Sequence, residues 1–343
     1  MTEVNIQVTV VIPMRNEAKY IRKCLDSVLA NDFPKDRLEI LVVDGRSTDD
    51  SRAIVEQRAA GCSNVRILDN PKKIVPVGLN MGIREARGEY VVILGAHADY
   101  PPNYLSTCIA ELQRTNADVV GGTLKTKPGA DTAVAEAIAL LSQHRFGVGG
   151  SGFRVGWGDR YVDTVPYPAY IKDVLVRAGL YNESLVRHQD FELNARIRAC
   201  GGRIFLSSKL QNTYYNVPTL YQLARQAFRN GLWLGRAWVR CPGSFSWRHA
   251  VPAAFVAAVL GSALLALFIP PLRYLPGLVL FPYIALALGS AAQLAWRNGV
   301  RFFLLLPGLF FLHHFAYGVG TISGVLTGHS LARVPTSPLQ KSI

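Results

Sequence analysis

The first hundred residues alternate apolar runs with segments whose apolar positions recur at helical spacing. Gln7–Pro13 (QVTVVIP), Leu38–Asp44 (LEILVVD), the short run VRIL at 65–68 and Tyr90–Leu94 (YVVIL) read as strands. Between them, Glu17–Ala30 places Ile21, Leu25, Val28 and Leu29 on one helical face, and further helices are predicted over about 49–60 and 77–86. This βαβαβαβ order implies an α/β fold, a mostly parallel sheet with flanking helices. Ligands of such sheets bind beyond the carboxyl ends of the strands. Three of those ends, 13–17, 44–49 and 95–99, are expected to converge on one crevice.

The pattern changes near Arg248. Three charge-free runs follow, Ala250–Leu272, Tyr274–Trp296 and Phe302–Leu331, separated by Arg273 and by Arg297 with Arg301. Each exceeds the roughly 20 residues that cross a hydrocarbon core, so about three transmembrane helices are predicted. The N-terminal segment is too polar, and its apolar run too short, for a signal peptide; the globular part is expected in the cytoplasm, at an inner or plasma membrane. Arg225, Arg229, Arg236, Arg240 and Arg248 precede the first run, and Arg297 and Arg301 lie between the second and third. A cytoplasmic N-terminus puts both groups inside, as the positive-inside rule prefers, and leaves Arg333 and Lys341 outside. In Pro218–Trp247, Leu220, Leu223, Phe228, Leu232 and Trp238 interleave with arginines, the pattern of amphipathic helices lying in the headgroup layer. His313 and His314, within the third run, are read as neutral side chains hydrogen-bonded between helices. The expected domains are 1–215 (catalytic), 216–248 (interfacial helices), 249–331 (transmembrane) and 332–343 (tail).

Composition narrows the chemistry. A net charge of +13 on 343 residues, beside predicted spans, points to anionic headgroups and phosphorylated substrates, not to nucleic acid. The five cysteines have no CxxC spacing and read as reduced, packed thiols. The chain has no GxGxxG and no GxxxxGK[ST], against a dinucleotide fold or a P-loop. Asp44 ends a strand and is followed by GRSTDD, where Ser47, Thr48 and Asp49 can cap a helix. A carboxylate there can hydrogen-bond a base ring N–H or a ribose hydroxyl, or serve only as a cap. His97 and Asp99 alternate with Ala96 and Ala98 and point the same way in an extended segment. Such a pair suits Mn²⁺, whereas Mg²⁺ prefers oxygen ligands alone; capping of a helix starting at Pro101 is the other use of Asp99. Asp190 precedes the amphipathic run Phe191–Cys200, where a helix N-terminus holds a carboxylate outward, as a general base or as a cap. Glu192 is a second candidate base.

The ordered set VTVVIPMRNEAKYIRKCLDSVLAN, EILVVDGRSTDDS, GLNMGIREARGEYVVILGAHADYPPNYL, FGVGGSGFR, VDTVPYPAY, NESLVRHQDFELNARIRACGGRI and LARQAFRNG resembles the family 2 glycosyltransferases over about residues 6–250. Within that family the likeness is to the succinoglycan-type membrane-associated glucosyltransferases. The resemblance implies a GT-A fold and inverting transfer from a nucleotide-sugar, with UDP as the expected nucleotide. It also implies a lipid-linked, polyprenyl-diphosphate acceptor, a divalent ion (Mg²⁺ or Mn²⁺) and, as partners, polysaccharide assembly proteins. Carried over by position, it assigns Pro13, Asn16, Glu17, Asp44 and Arg87 to the donor and Asp190 to the catalytic base, and the ion it implies falls to His97 and Asp99 by their spacing. Gln226 and Arg229 fall near an acceptor-side or interfacial helix. Gly95 stands where the family usually has Asp, and Pro168 where its near relatives more often have Gly. The alternatives are a polyprenyl-phosphate sugar transferase and a non-catalytic scaffold. A fragment ending at Arg248 is expected to be soluble and to bind nucleotide.

Overall fold

Strand burial follows the apolar runs. Every residue of Leu38–Asp44 is buried, and Val8–Met14 has a single half-buried position, so both strands are covered on two faces as a parallel sheet requires. The computed structural model describes residues 6–245 and 247–328, so the expected tail at 332–343, with Arg333 and Lys341, lies outside the described residues. The elements begin with β1 (Val8–Met14), α1 (Ile21–Leu29), β2 (Leu38–Asp44), α2 (Ser51–Ala59), β3 (Val65–Asp69), α3 (Val75–Glu85), β4 (Tyr90–Ile93) and α4 (Tyr104–Thr115). Next come β5 (Val119–Lys127), α5 (Ala133–Leu141), α6 (Arg145–Val148), α7 (Gly152–Val155), β6 (Arg160–Tyr161), β7 (Ala169–Ile171), α8 (Lys172–Arg177), α9 (Gln189–Ala199) and β8 (Ile204–Tyr215). Four long helices follow: α10 (Leu220–Arg240), α11 (Val251–Phe268), α12 (Leu275–Asn298) and α13 (Phe302–Gly328).

The eight strands form one mixed sheet in the order β3-β2-β1-β4-β7-β5-β8-β6. Its β3-β2-β1-β4 half is parallel, and β7 pairs antiparallel with β4 and β5. The expected βαβαβαβ order is therefore the observed one, with strand ends within two residues of their predicted places.

The described chain divides into two compact units, 6–125 with 156–213, and 126–155 with 214–245 and 247–328. The first holds the parallel half of the sheet and its helices, packed around Val10, Ile12, Ile40, Val42, Val92, Tyr104 and Leu105. The second gathers α5, α6 and α7 with the four long helices. Its core joins Ala137, Ile138 and Leu141 of α5 to Leu223, Ala291, Phe302, Leu306 and Phe310.

Three helices of the second unit are long and apolar enough to cross a membrane: Trp247–Phe268, Pro270–Asn298 and Phe302–Gly328. The segment 216–248, expected as helices in the headgroup layer, is mainly the single helix α10, whose small-residue face is covered by α13. A Cβ on Gly231 would lie 2.0 Å from the Tyr317 carbonyl oxygen, and one on Gly324 would lie 2.1 Å from that of Leu232. Only glycine allows backbones this close, so part of the face expected to meet lipid meets protein instead.

Candidate active site

Strand register builds the site. Met14 pairs with Asp44 at the carboxyl ends of β1 and β2, and the Leu94 amide bonds the Val11 carbonyl, which aligns the end of β4 beside them. The loops after these strands interlock. Asn16, at φ 57°, donates its amide to Ser47 Oγ at 3.0 Å, and its side-chain oxygen accepts from the Thr48 amide at 2.8 Å. The Glu17 amide donates to Ser51 Oγ at 2.7 Å, and the Ala18 amide to Asp49 Oδ2 at 3.1 Å. Asp49 is thus a loop residue that ties the two segments, and the N-cap of α2 is Asp50. Asp44 is not a cap: it is 1% exposed, and its Oδ1 accepts from the Ser47 amide at 3.0 Å and from Ser47 Oγ at 2.7 Å. Its Oδ2 has Arg52 Nη1 at 3.6 Å, and Arg52 is drawn further by Asp69 and by Glu56.

The third strand end brings His97 beside Glu17, Nδ1 to Oε1 at 3.5 Å, and pairs Asp99 with Lys23. The hydrogen bond to Glu17 raises the His97 pKa above the usual histidine value, against the opposing effect of burial. Capping does not explain Asp99, because α4 starts at Tyr104 with Asn103 as its N-cap. Gly95 is held by Tyr100, whose hydroxyl accepts from the Gly95 amide at 2.7 Å. Tyr167, in the uncommon left-handed region at φ 45° immediately before Pro168, sets its ring where a Gly95 side chain would point. The Cys24 thiol donates to the Gly95 carbonyl at 3.4 Å, and burial pushes its pKa up to about 12, so it is a packed thiol and not a metal ligand.

Among the described residues no group of three or more His, Cys, Asp or Glu side chains is arranged to hold a metal. The protein atoms alone do not make a cage. An ion shared with a ligand's phosphate oxygens would have Asp99 as a hard ligand and His97 beside it.

Asp190 is the second residue of α9, whose N-cap His188 is in the left-handed region at φ 59°. The Tyr170 and Tyr181 hydroxyls lie 3.2 Å apart, and burial first, with the Asp190 charge as a smaller cause, raises both of their pKa values. Glu192 is excluded as the base by its partners. It is 5% exposed, and both its oxygens are taken by Arg196 at 2.7 Å, while Arg196 also binds the Ala178 and Leu180 carbonyls.

Two expectations separate from this crevice. Arg87 lies before β4, at the amino edge of the sheet, about 20 Å from Asp44 by the six steps of ~3.3 Å from Val8 to Met14. There it binds Glu39, through Nε at 2.8 Å and its amide at 3.1 Å, so it is a structural residue and not a donor contact. Gln226 and Arg229 belong to the second unit, on α10; Gln226 donates to the Tyr214 hydroxyl at 3.4 Å and Arg229 is exposed. Lys23, Ser47, Arg52 and Tyr167 are the site residues that patterning did not single out as such. Lys23 and Asp99 are far apart in the chain, and no periodicity signals their pairing.

A family model described as glycosyl transferase family 2 matches residues 9–154. The chain is 27% identical over 332 residues, 94% of its length and 98% of the relative's, to a dolichyl N-acetyl-α-D-glucosaminyl phosphate 3-β-D-2,3-diacetamido-2,3-dideoxy-β-D-glucuronosyltransferase of Methanococcus voltae. It is 29% identical over 260 residues, 75% of its length and 78% of the relative's, to the succinoglycan biosynthesis protein ExoA of Rhizobium meliloti. Among solved structures, the mannosyltransferase PcManGT of Pyrobaculum calidifontis, in complex with GDP-Man and Mn²⁺, aligns with a TM-score of 0.59 at 21% identity. That alignment covers 91% of this chain and 86% of the other, a likeness of GT-A fold. With motifs in family order, a sheet of this topology and matches to such relatives, residues 9–154 carry a glycosyl transferase family 2 domain, and the chain is a glycosyltransferase of glycan or polysaccharide biosynthesis.

Proposed function

We propose that the protein transfers a sugar, with inversion, from a nucleotide-sugar, UDP-linked by preference, to a lipid-linked acceptor at the cytoplasmic face of a membrane. The observation that carries this reading is Asp44: a buried carboxylate at the end of a parallel strand, with one oxygen bound to Ser47 and the other lacking a close partner at hydrogen-bond distance. That oxygen suits a base ring N–H or a ribose hydroxyl, and Asn16 and Glu17 shape the adjoining wall. The lipid-linked acceptor is supported by the three apolar helices and by the dolichyl-linked substrate in the name of the Methanococcus voltae relative.

In the proposed reaction, Asp190 accepts the proton of the acceptor hydroxyl as its oxygen bonds the anomeric carbon. The bond from that carbon to the nucleotide diphosphate breaks, and its electron pair leaves with the diphosphate. A divalent ion, when bound through Asp99 and His97, supplies charge to the leaving diphosphate. Lys23 is the resident cation at the same carboxylate. The test is a donor screen on the full chain in lipid nanodiscs, reading release of nucleotide diphosphate. Asp190→Asn should bind nucleotide as the parent does and lose ~10²–10⁴-fold in rate, because the amide keeps the shape but accepts no proton. Parental turnover by that variant refutes the base assignment.

A further inference from the structure

Helix α1 is tied to the third strand end by a row of contacts at helical spacing. Lys23 pairs with Asp99, and Ser27 Oγ accepts from the Tyr100 amide at 3.3 Å. Asn31, just past the helix, donates to the Pro101 carbonyl at 2.9 Å and accepts from the Leu105 amide at 3.0 Å. Lys23 and Ser27 are four residues apart and share one helical face, so the seating of α1 aims Lys23 at Asp99. Cys24 meets the Gly95 carbonyl from the same side.

Both side chains that could take an ion here are engaged within the chain, Asp99 by Lys23 and His97 by Glu17 at 3.5 Å. The side chain of Lys23 is 75% exposed and that of Asp99 42%, and an ion pair so open to water is weak enough to exchange. A divalent ion and an ammonium on one carboxylate repel each other, so they compete for Asp99. Of the other cations described above, Arg52 is held by Asp69 and Glu56, and Arg87 lies at the opposite edge on Glu39.

We propose that Lys23 is a donor-binding residue that exchanges partners: without donor it holds Asp99, and with donor its ammonium turns to the diphosphate and leaves Asp99 open to a divalent ion. This deepens the transferase reading above and rests on it. A lysine suits the part, since its ammonium is a compact charge on a flexible stem and changes partner without moving α1. On the leaving diphosphate it supplies part of the compensating charge. Nucleotide binding then does not depend wholly on the ion.

The test uses the full chain in phosphatidylcholine nanodiscs and reads binding alone. Mn²⁺ is titrated without nucleotide by electron paramagnetic resonance, and UDP and GDP are titrated by calorimetry in excess chelator. Lys23→Gln should move the two readings in opposite directions, which loss of local structure would not do. Mn²⁺ binding should tighten about two- to fivefold, the range for releasing an exposed pair, and affinity for the better-bound nucleoside diphosphate should fall about tenfold. Lys23→Arg keeps the charge and should recover most of the nucleotide affinity. Arg22→Gln controls for net charge, because Arg22 is the neighbouring cation of α1 and donates to Gln57 of α2 at 3.0 Å; both affinities should stay parental. Unchanged Mn²⁺ affinity in Lys23→Gln overturns the proposal, as does unchanged nucleoside diphosphate affinity in chelator. Equal shifts in Arg22→Gln also overturn it, by reducing the effect to overall charge. Failure of the transferase reading is separate, since it appears as absent nucleotide diphosphate release from every donor, whatever Lys23→Gln does to Mn²⁺.

Discussion

Asp44 and Gly95 show how single positions set the chemistry of the crevice. Asp44 is held by Ser47 through one oxygen, so its removal costs the local turn and, in the proposed reading, the nucleotide contact as well. Asp44→Ala is expected to weaken nucleoside diphosphate binding by about ten- to a hundred-fold, roughly 1.5–3 kcal/mol for a charged hydrogen bond. Calorimetry checks it, and unchanged affinity would reduce Asp44 to a turn residue. Gly95 is replaceable because its backbone is not left-handed; an added Cβ meets Tyr167 Cε1 at 3.1 Å and the Tyr100 hydroxyl at 3.8 Å. The Tyr167 ring must yield by a few tenths of an ångström. Gly95→Asp then adds a carboxylate near Asp99, and Mn²⁺ binding without nucleotide, followed by electron paramagnetic resonance, should tighten. No change in Mn²⁺ affinity would place the ion's ligands elsewhere.

At the scale of elements, the amino edge of the sheet is tied by one buried acid. Glu39 of β2 is 1% exposed and accepts from Thr9 Oγ1 at 3.0 Å, Arg66 Nη2 at 2.9 Å and Arg87. Burial alone would raise its pKa, but the Arg87 amide and guanidinium, Thr9 and Arg66 together hold it below the usual carboxylate value. Glu111 of α4 behaves alike: Arg114 first, then Lys209 and Ser207, bring it down to about 2 against its burial. A carboxyl whose folded pKa is depressed stabilises the fold above its unfolded pKa and loses that contribution as pH falls through the folded value. Urea midpoints should therefore be level above about pH 5 and decline from about pH 4.5 towards 2. Glu39→Gln should lower the neutral-pH midpoint and flatten that decline; an acid slope equal to the parent's would remove Glu39 from the account.

At the scale of the whole molecule, the second unit changes the expectation for a truncated chain. Ending the protein at Arg248 removes Ala291, Phe302, Leu306 and Phe310 from the core that α5 shares, and removes the α13 backbone that covers Gly231 and Gly324's partner Leu232. The fragment is expected to expose those apolar faces and to need detergent, contrary to the soluble domain that hydropathy alone suggests. Sedimentation with and without detergent tests this, and a monodisperse fragment in plain buffer would show that α5 and α10 find other cover. Loss of the three apolar helices should also remove transfer to a membrane-borne acceptor.

Much of this protein is legible in one dimension because its periodicities are local. Alternating runs specify β1 to β4 and their helices, and strand ends follow from chain order, so Asn16, Asp44 and His97 could be placed at one edge without coordinates. Charge-free length likewise suffices for three apolar helices. Motif position carried Arg87 to the donor as well, yet register sets it at the opposite edge on Glu39. Motif spacing left Glu192 as a base, and only packing showed Arg196 filling both of its oxygens. Local patterns record which face of an element is apolar; they do not record which distant side chain arrives to neutralise a charge. The pairing of Lys23 with Asp99, the Tyr167 ring against Gly95 and the seating of α10 on α13 join segments far apart in the chain, and such contacts exist only once the elements have packed.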